Sequence, residues 1–206
     1  MPKKKKEKVL VLATRNPGKV KELKALLSDL DLEVKSLDDF PESPKVEETG
    51  KSFFENAFQK AREIALATGH LAMADDSGLE VDALGGAPGI YSARYAGEGA
   101  GDEENIRKLL KELEGVPLEK RTARFRCVIV VYHPSGHWFK AEGVWEGLIA
   151  PEPRGEGGFG YDPIFLIPEL GKTAAEISLE LKNKLSHRAK ALAEMKYKLP
   201  SFLEAI

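Results

Sequence analysis

The stretch Val9-Leu10-Val11-Leu12-Ala13-Thr14-Arg15-Asn16-Pro17-Gly18-Lys19 passes from an apolar run into a polar turn, and Val20, Leu23, Leu26 and Leu27 then recur at helical spacing. A short apolar run bounded by turn residues reads as a buried strand, and apolar side chains three and four apart read as one helix face. Strand, turn and helix in that order open an α/β fold. Working outward, residues 32–37 form a second strand candidate, followed by an acidic, proline-bearing loop over 38–48. Ser52-Phe53-Phe54-Glu55 is a capping-box pattern that starts a helix, with Phe54, Phe58, Ala61 and Ala65 along one stripe and Gly69 as its stop. Residues 71–74 lead as a strand into Asp75-Asp76-Ser77-Gly78, which reads as a strand end stepping into a glycine turn. A glycine-rich segment over 85–101 predicts an extended loop or short turns, and 105–113 a helix. Residues 124–132 and 138–145 read as two strands around the hairpin turn His133-Pro134-Ser135-Gly136, with a further strand over 164–167 and a last helix over 186–199. Alternating elements at the front and a hairpin in the second half predict an α/β fold with a mixed sheet.

With 206 residues, 42% of them apolar, the chain can bury a core as one domain or as two closely joined lobes. A net charge of −2 supplies no global basic field, which argues against nucleic acid or anionic lipid as partner. The single cysteine, Cys127, sits against Val128-Ile129-Val130-Val131 and reads as a buried thiol, so no disulfide forms within one chain. Residues 1–8, rich in lysine, read as a solvated, disordered start. No apolar stretch there is long enough for a signal peptide or a membrane span, and the expectation is a cytoplasmic protein.

Five segments carry candidate chemistry. Adjacent carboxylates such as Asp75 and Asp76 repel unless a cation holds them, and hard divalent ions such as Mg²⁺ take carboxylate oxygens. The same residues also suit a solvated Asp-Ser-Gly turn. The turn from Thr14 to Lys19 lies between a strand and a helix, where backbone N–H groups and the helix dipole favour an anion, with Lys19 adding a point charge. It lacks the spacing of a P-loop. Glu47-Glu48-Thr49-Gly50 supplies further carboxylates without basic neighbours in sequence, which a metal would explain, while Glu55 reads as a capping partner.

Gly155-Glu156-Gly157-Gly158-Phe159-Gly160 matches a dinucleotide fingerprint in form only, because Tyr161-Asp162-Pro163-Ile164 cannot open the required helix. It reads instead as a flexible glycine segment. Phe159, Tyr161 and Asp162 then either stack on a flat ring and read its polar edge, or are ordinary core residues. Lys182 with Ser186-His187-Arg188 gathers cationic and donor groups near the start of the last helix. Unless an anionic or polar partner meets them, they are a solvated helix start. His70, His133 and His137 fall in turns without zinc spacing.

Together these segments resemble the inosine triphosphate pyrophosphatase family, also called dITP/XTP or non-canonical purine NTP pyrophosphatases. The resemblance rests on Thr14-Arg15-Asn16-Pro17-Gly18-Lys19, Glu47-Glu48-Thr49-Gly50 with Glu55-Asn56-Ala57, and Ala74-Asp75-Asp76-Ser77-Gly78-Leu79. It continues through Pro88-Gly89-Ile90-Tyr91-Ser92-Ala93-Arg94-Tyr95-Ala96-Gly97, Gly157-Gly158-Phe159-Gly160-Tyr161-Asp162-Pro163 and Ser186-His187-Arg188. It implies hydrolysis of a nucleoside triphosphate to its monophosphate and pyrophosphate, with Mg²⁺ as cofactor. It also implies an elongated α/β fold of two lobes around a mixed central sheet with flanking helices, the active site in the cleft between the lobes, and a homodimer.

By the same resemblance Thr14, Arg15, Asn16, Pro17, Gly18 and Lys19 hold phosphates, Glu47 and Asp76 bind the metal, and Asp76 accepts a proton from the attacking water. Ser77, Phe159, Gly160, Tyr161, Asp162, Lys182, His187 and Arg188 contact substrate, and Lys60 reaches a phosphate. A second-rank role follows for Asp75, orienting the site. Hypoxanthine and xanthine carry an oxo group where adenine has an amino donor, so donors from His187, Arg188 or backbone amides would reject adenine. Two competing readings are a Maf-like pyrophosphatase of modified pyrimidine triphosphates and a nucleotide-binding module without catalysis, which would not need the paired aspartates.

Overall fold

The opening strand–turn–helix forms as its pattern predicts. In a computed structural model, which describes residues 8–206, β1 (Lys8–Leu12) runs into a turn and then into α1 (Pro17–Leu26). The lysine-rich start lies outside the described residues, except Lys8, which is not frayed but pairs with Leu32. β1 has a parallel neighbour on each side, β2 (Leu32–Ser36) and β3 (Leu71–Val81), and its Leu10, Val11 and Leu12 are fully buried, on both faces of the sheet. A strand covered on both faces needs a continuous apolar run rather than alternation.

Between β2 and β3 lies α2 (Phe53–Thr68), capped by Ser52, whose side chain accepts from Glu55 N, and ended by Gly69 at φ 70°. Of the expected stripe, Ala61 and Ala65 are buried, but Phe54 and Phe58 are not. Phe53, Ala57, Ala61, Ile64 and Ala65 are buried, while Phe54 and Phe58 lie at the flank. The alanine column lets the helix approach closely. The two phenylalanines meet aromatic rings instead, Phe54 on Trp138 at 5.4 Å and Phe58 on Tyr132 at 5.6 Å.

The second half of the chain adds α3 (Asp102–Glu112), β4 (Thr122–Tyr132), β5 (Trp138–Ile149), β6 (Phe165–Ile167), β7 (Lys172–Thr173), α4 (Leu179–Leu185) and α5 (His187–Ala205). The hairpin between β4 and β5 closes where predicted, with His133 N donating to His137 O at 2.8 Å. The glycine-rich segment is partly a 3-10 helix (Gly89–Arg94), and Asn105 holds it by accepting from Ala96 N at 2.8 Å. Among the elements that escaped prediction or outran it are β7, the short α4, β3 beyond Ala74, β5 beyond Trp145, and α5 beyond Leu199, which continues through the exposed Pro200.

The seven strands form one mixed sheet in the order β2-β1-β3-β4-β5-β6-β7, parallel at β2-β1-β3 and antiparallel at β5-β6-β7. The chain divides into two compact units. One takes in the chain up to Asp76, Val128–Ala141 and Glu194–Ile206, and the other Ser77–Cys127 and Glu142–Ala193. The first unit has its core in β1, the alanine face of α2, Leu71 to Ala74, Val128 to Val131, Met195 and Leu199. The second is built around Leu79, Val81, Leu109, Phe125, Trp145, Ile149, Ile164 and Phe165. Cys127 is buried as expected, at 1% exposure. Among the described residues no helix is long and apolar enough to cross a membrane.

Candidate active site

Asp75 and Asp76 sit in the middle of β3, not at its end. The strand continues through Ser77 and Gly78, whose φ is not positive, because apolar residues resume at Leu79 and Val81 and Leu79 N finds an acceptor 2.9 Å away in Ser92 Oγ. Successive strand residues point to opposite faces, so the two carboxylates take different neighbours. Lys19 of α1 places its Nζ 3.2 Å from Asp75 Oδ2, and Asn56 of α2 donates its Nδ2–H to Asp76 Oδ2 at 3.0 Å.

The acidic loop before α2 has a basic partner that adjacency in sequence hides. Lys60 Nζ donates to Glu48 Oε1 at 2.7 Å and to the Asp75 carbonyl at 2.6 Å, which brings the Glu47-Glu48 segment to the paired aspartates. Glu47 itself is exposed. Asn56 and Lys60 are four residues apart and so share a face of α2. That spacing was the available signal for both, and only Lys60 was given a role from the sequence.

The turn from Thr14 to Lys19, expected to hold phosphates, differs in detail from expectation. Asn16 is the N-cap of α1, and its Oδ1 accepts from Gly18 N at 3.0 Å and Lys19 N at 3.2 Å, while Thr14 Oγ1 accepts from Asn16 N at 3.2 Å. The amides expected to cradle an anion are therefore capped by the chain's own side chain, and Pro17 has no N–H to offer. What the turn presents outward is the exposed Arg15 and the Lys19 ammonium.

In the second unit the glycine segment is close-packed rather than flexible. A Cβ on Gly158, at φ +69°, would lie 2.1 Å from Asp162 Oδ2, and one on Gly157 would lie 2.8 Å from Ala175 O. Only glycine allows this approach. Asp162, 4% exposed, accepts from Phe159 N at 3.1 Å and is ion-paired with Lys182 Nζ, so its carboxylate organises the loop instead of facing a base. Gly160 N is held by Asp102 Oδ2 at 2.8 Å. Phe159 is 72% exposed, with the Lys182 ammonium 4.6 Å from its ring centroid. Tyr161 is the opposite case. Its ring is core, and its hydroxyl donates to Ser92 O at 2.7 Å, with burial pushing its pKa up.

Lys182 belongs to the last turn of α4, where a cation suits the helix dipole, and not to the start of the final helix. Ser186 separates the two helices and caps α5, its Oγ accepting from Ala189 N at 3.1 Å. His187 then stacks on Phe125, ring centroids 4.8 Å apart and planes 17° from parallel, and Arg188 follows it, half-buried. Ser77 is exposed in β3.

The donor set suits a hard divalent ion. Among the described residues no three Asp, Glu, His or Cys side chains converge, but Mg²⁺ is typically held by one or two carboxylates, waters and substrate phosphates. Asp76, with an amide donor fixing one oxygen, and the exposed Glu47 are carboxylates of that kind.

The profile of the Ham1 family matches residues 10–198, and the chain belongs to that family. It is 56% identical over 187 residues to the dITP/XTP pyrophosphatase of Geobacter sulfurreducens, covering 91% of this chain and 94% of that one. To the dITP/XTP pyrophosphatase of Bacillus subtilis it is 52% identical over 198 residues, covering 96% and 98%. The structure of a HAM1 protein from Coxiella burnetii superposes with a TM-score of 0.89 at 45% identity, covering 94% of this chain and 99% of that one. The family and the mixed α/β fold read from the sequence are thereby borne out.

Proposed function

We propose that the chain is a nucleoside triphosphate pyrophosphatase that hydrolyses dITP, ITP and XTP to the monophosphate and pyrophosphate, clearing non-canonical purines from the nucleotide pool. The observation that carries this reading is the chain-long identity to relatives named for that activity, with every motif segment in place. The site chemistry supports it. Water attacks the α-phosphorus as the bond to the oxygen bridging the β-phosphorus breaks. Pyrophosphate leaves, and the water's proton passes to the Asp76 carboxylate. Mg²⁺, held when bound by Glu47 and Asp76, neutralises phosphate charge and polarises phosphoryl oxygens.

Lys19, Lys60 and Lys182 supply the remaining positive charge, with Thr14, Arg15, Asn16, Pro17 and Gly18 shaping the phosphate turn. Phe159 offers its exposed ring to the base, Gly160, Tyr161 and Asp162 hold that loop in shape, and Ser77 meets the substrate. Donors at His187 and Arg188 select a 6-oxo purine and leave adenine facing donors. The protein works in the cytoplasm as a homodimer, without nucleic acid or membrane partners.

The test is product analysis with dITP, XTP, dATP, dGTP and dTTP in the presence of Mg²⁺. Pyrophosphate released chiefly from dITP and XTP is the expected outcome. Orthophosphate with a diphosphate overturns the reaction, and preference for dTTP overturns the substrate class.

A further inference from the structure

Asn56 is 2% exposed, and asparagine is buried in a helix only where its amide is used. Both ends of this amide are engaged. Gly50 N–H donates to Oδ1 at 2.7 Å, and since a backbone N–H can only donate, the oxygen must face Gly50 and the nitrogen must face Asp76. Nδ2–H then donates to Asp76 Oδ2 at 3.0 Å, and an NH₂ group requires an acceptor, which Asp76 provides as a carboxylate. The Gly50 end is built for contact. A Cβ there would lie 2.6 Å from Asn56 Oδ1 and 2.6 Å from Glu55 Cβ, so the loop closes on the amide only as glycine.

Gly50 ends the segment Glu47-Glu48-Thr49-Gly50. We propose that Asn56 is a positioning residue that clasps this loop to Asp76, fixing which way the Asp76 carboxylate faces and how Glu47 is registered against it. The inference rests on the reading of Asp76 as proton acceptor and metal ligand given above. It goes beyond that reading by assigning the control of Asp76 to a buried side chain whose amide is engaged by Gly50 and Asp76. A lost orienting partner of a metal-site ligand typically costs about 10- to 100-fold in activity.

The test is Asn56→Asp, which keeps the shape and the bond to Gly50 but turns an acceptor toward Asp76. The expected result is a kcat for dITP lowered about tenfold or more, with KM within about threefold. A second readout needs no turnover. In ¹⁵N spectra of the metal-free protein, the Asn56 side-chain amide resonance should move on Asp76→Ala and stay in place on the exposed control Glu119→Ala. Where Asn56→Asp is too unstable to assay, Gly50→Ala reaches the same amide from its other end and should give the same split.

A kcat within about twofold of the parent in a folded Asn56→Asp, or an Asn56 resonance indifferent to Asp76→Ala, overturns the proposal. Asp76→Asn separates this from the parent reading. Full turnover in that variant overturns the role of Asp76 itself, whereas its inactivity beside an unimpaired Asn56→Asp overturns the clasp alone.

Discussion

Lys19 Nζ lies 3.2 Å from Asp75 Oδ2, so the cation at the start of α1 is already answered by a carboxylate of β3, with 32% and 18% of the two side chains exposed. The first aspartate of the pair is thus a holder of lysine, and the second, bonded to Asn56, is the one proposed above as proton acceptor. Asp75→Asn releases Lys19 without removing the proton acceptor. The expected outcome is a kcat reduced about 10- to 100-fold and a stability change within about 1 kcal/mol, read by steady-state kinetics and thermal melting. A variant with kcat unchanged would remove Asp75 from the site's orientation.

Lys182 and Asp162 form a buried ion pair, with side chains 13% and 5% exposed. Removing one partner of such a pair leaves an uncompensated charge and costs about 3–5 kcal/mol. Lys182→Met should therefore melt well below the parent, and Lys182→Met combined with Asp162→Asn should recover much of the loss. Activity should not return in the double variant, because the cation for the substrate is still missing. Recovery of both would show that Lys182 is structural only.

Phe159 is the large exposed aromatic of the glycine loop, at 72% exposure. Phe159→Ala should change stability by no more than about 0.5 kcal/mol. Stacking of a base on an aromatic ring is worth about 1–3 kcal/mol. KM for dITP should accordingly rise by about 5- to 150-fold. Unchanged KM would place the base elsewhere.

Asp82 carries the acid sensitivity of an exposed charge network. Arg124, 3.0 Å away, and then Thr122 hold its carboxyl below the usual carboxylate range. A depressed folded-state pKa means that the stabilisation is complete above the unfolded value, near about pH 4, and is lost as pH falls through the folded value. Asp82→Asn should melt slightly lower at pH 7, by no more than about 1 kcal/mol for a pair of this exposure. Its melting temperature should then fall less steeply than the parent's below about pH 4. Parallel acid limbs in the two proteins would remove Asp82 from the response.

Elements defined by local pattern were readable before any coordinates. The apolar run of β1, the Ser52 cap and Gly69 stop of α2, and the hairpin at His133 all depend on neighbours in sequence. What escaped the sequence depends on packing at a distance. Asp75-Asp76-Ser77-Gly78 looks like a turn, and only the burial of Leu79 and Val81 with the Ser92 acceptor makes it strand. The glycines at 157 and 158 look flexible because nothing local announces Ala175 or the Asp162 carboxylate against them. For the site, residue types and order were legible, but pairings were not. Lys60 on Glu48, Lys182 on Asp162 and Asn56 on Asp76 join residues 12 to 20 positions apart.

The pairing of Lys19 with Asp75 and of Lys182 with Asp162 also governs how a triphosphate would meet the free protein. Each lysine's field is largely cancelled at a distance by its own aspartate, so neither projects the unbalanced positive potential that steers anions across about a Debye length. Capture then proceeds without much long-range guidance from these lysines, at an encounter rate that ionic strength alters little. On the proposed reading of Lys19 and Lys182 as phosphate contacts, the attraction would switch on only at contact, when phosphate oxygens compete with the aspartates for the ammonium groups.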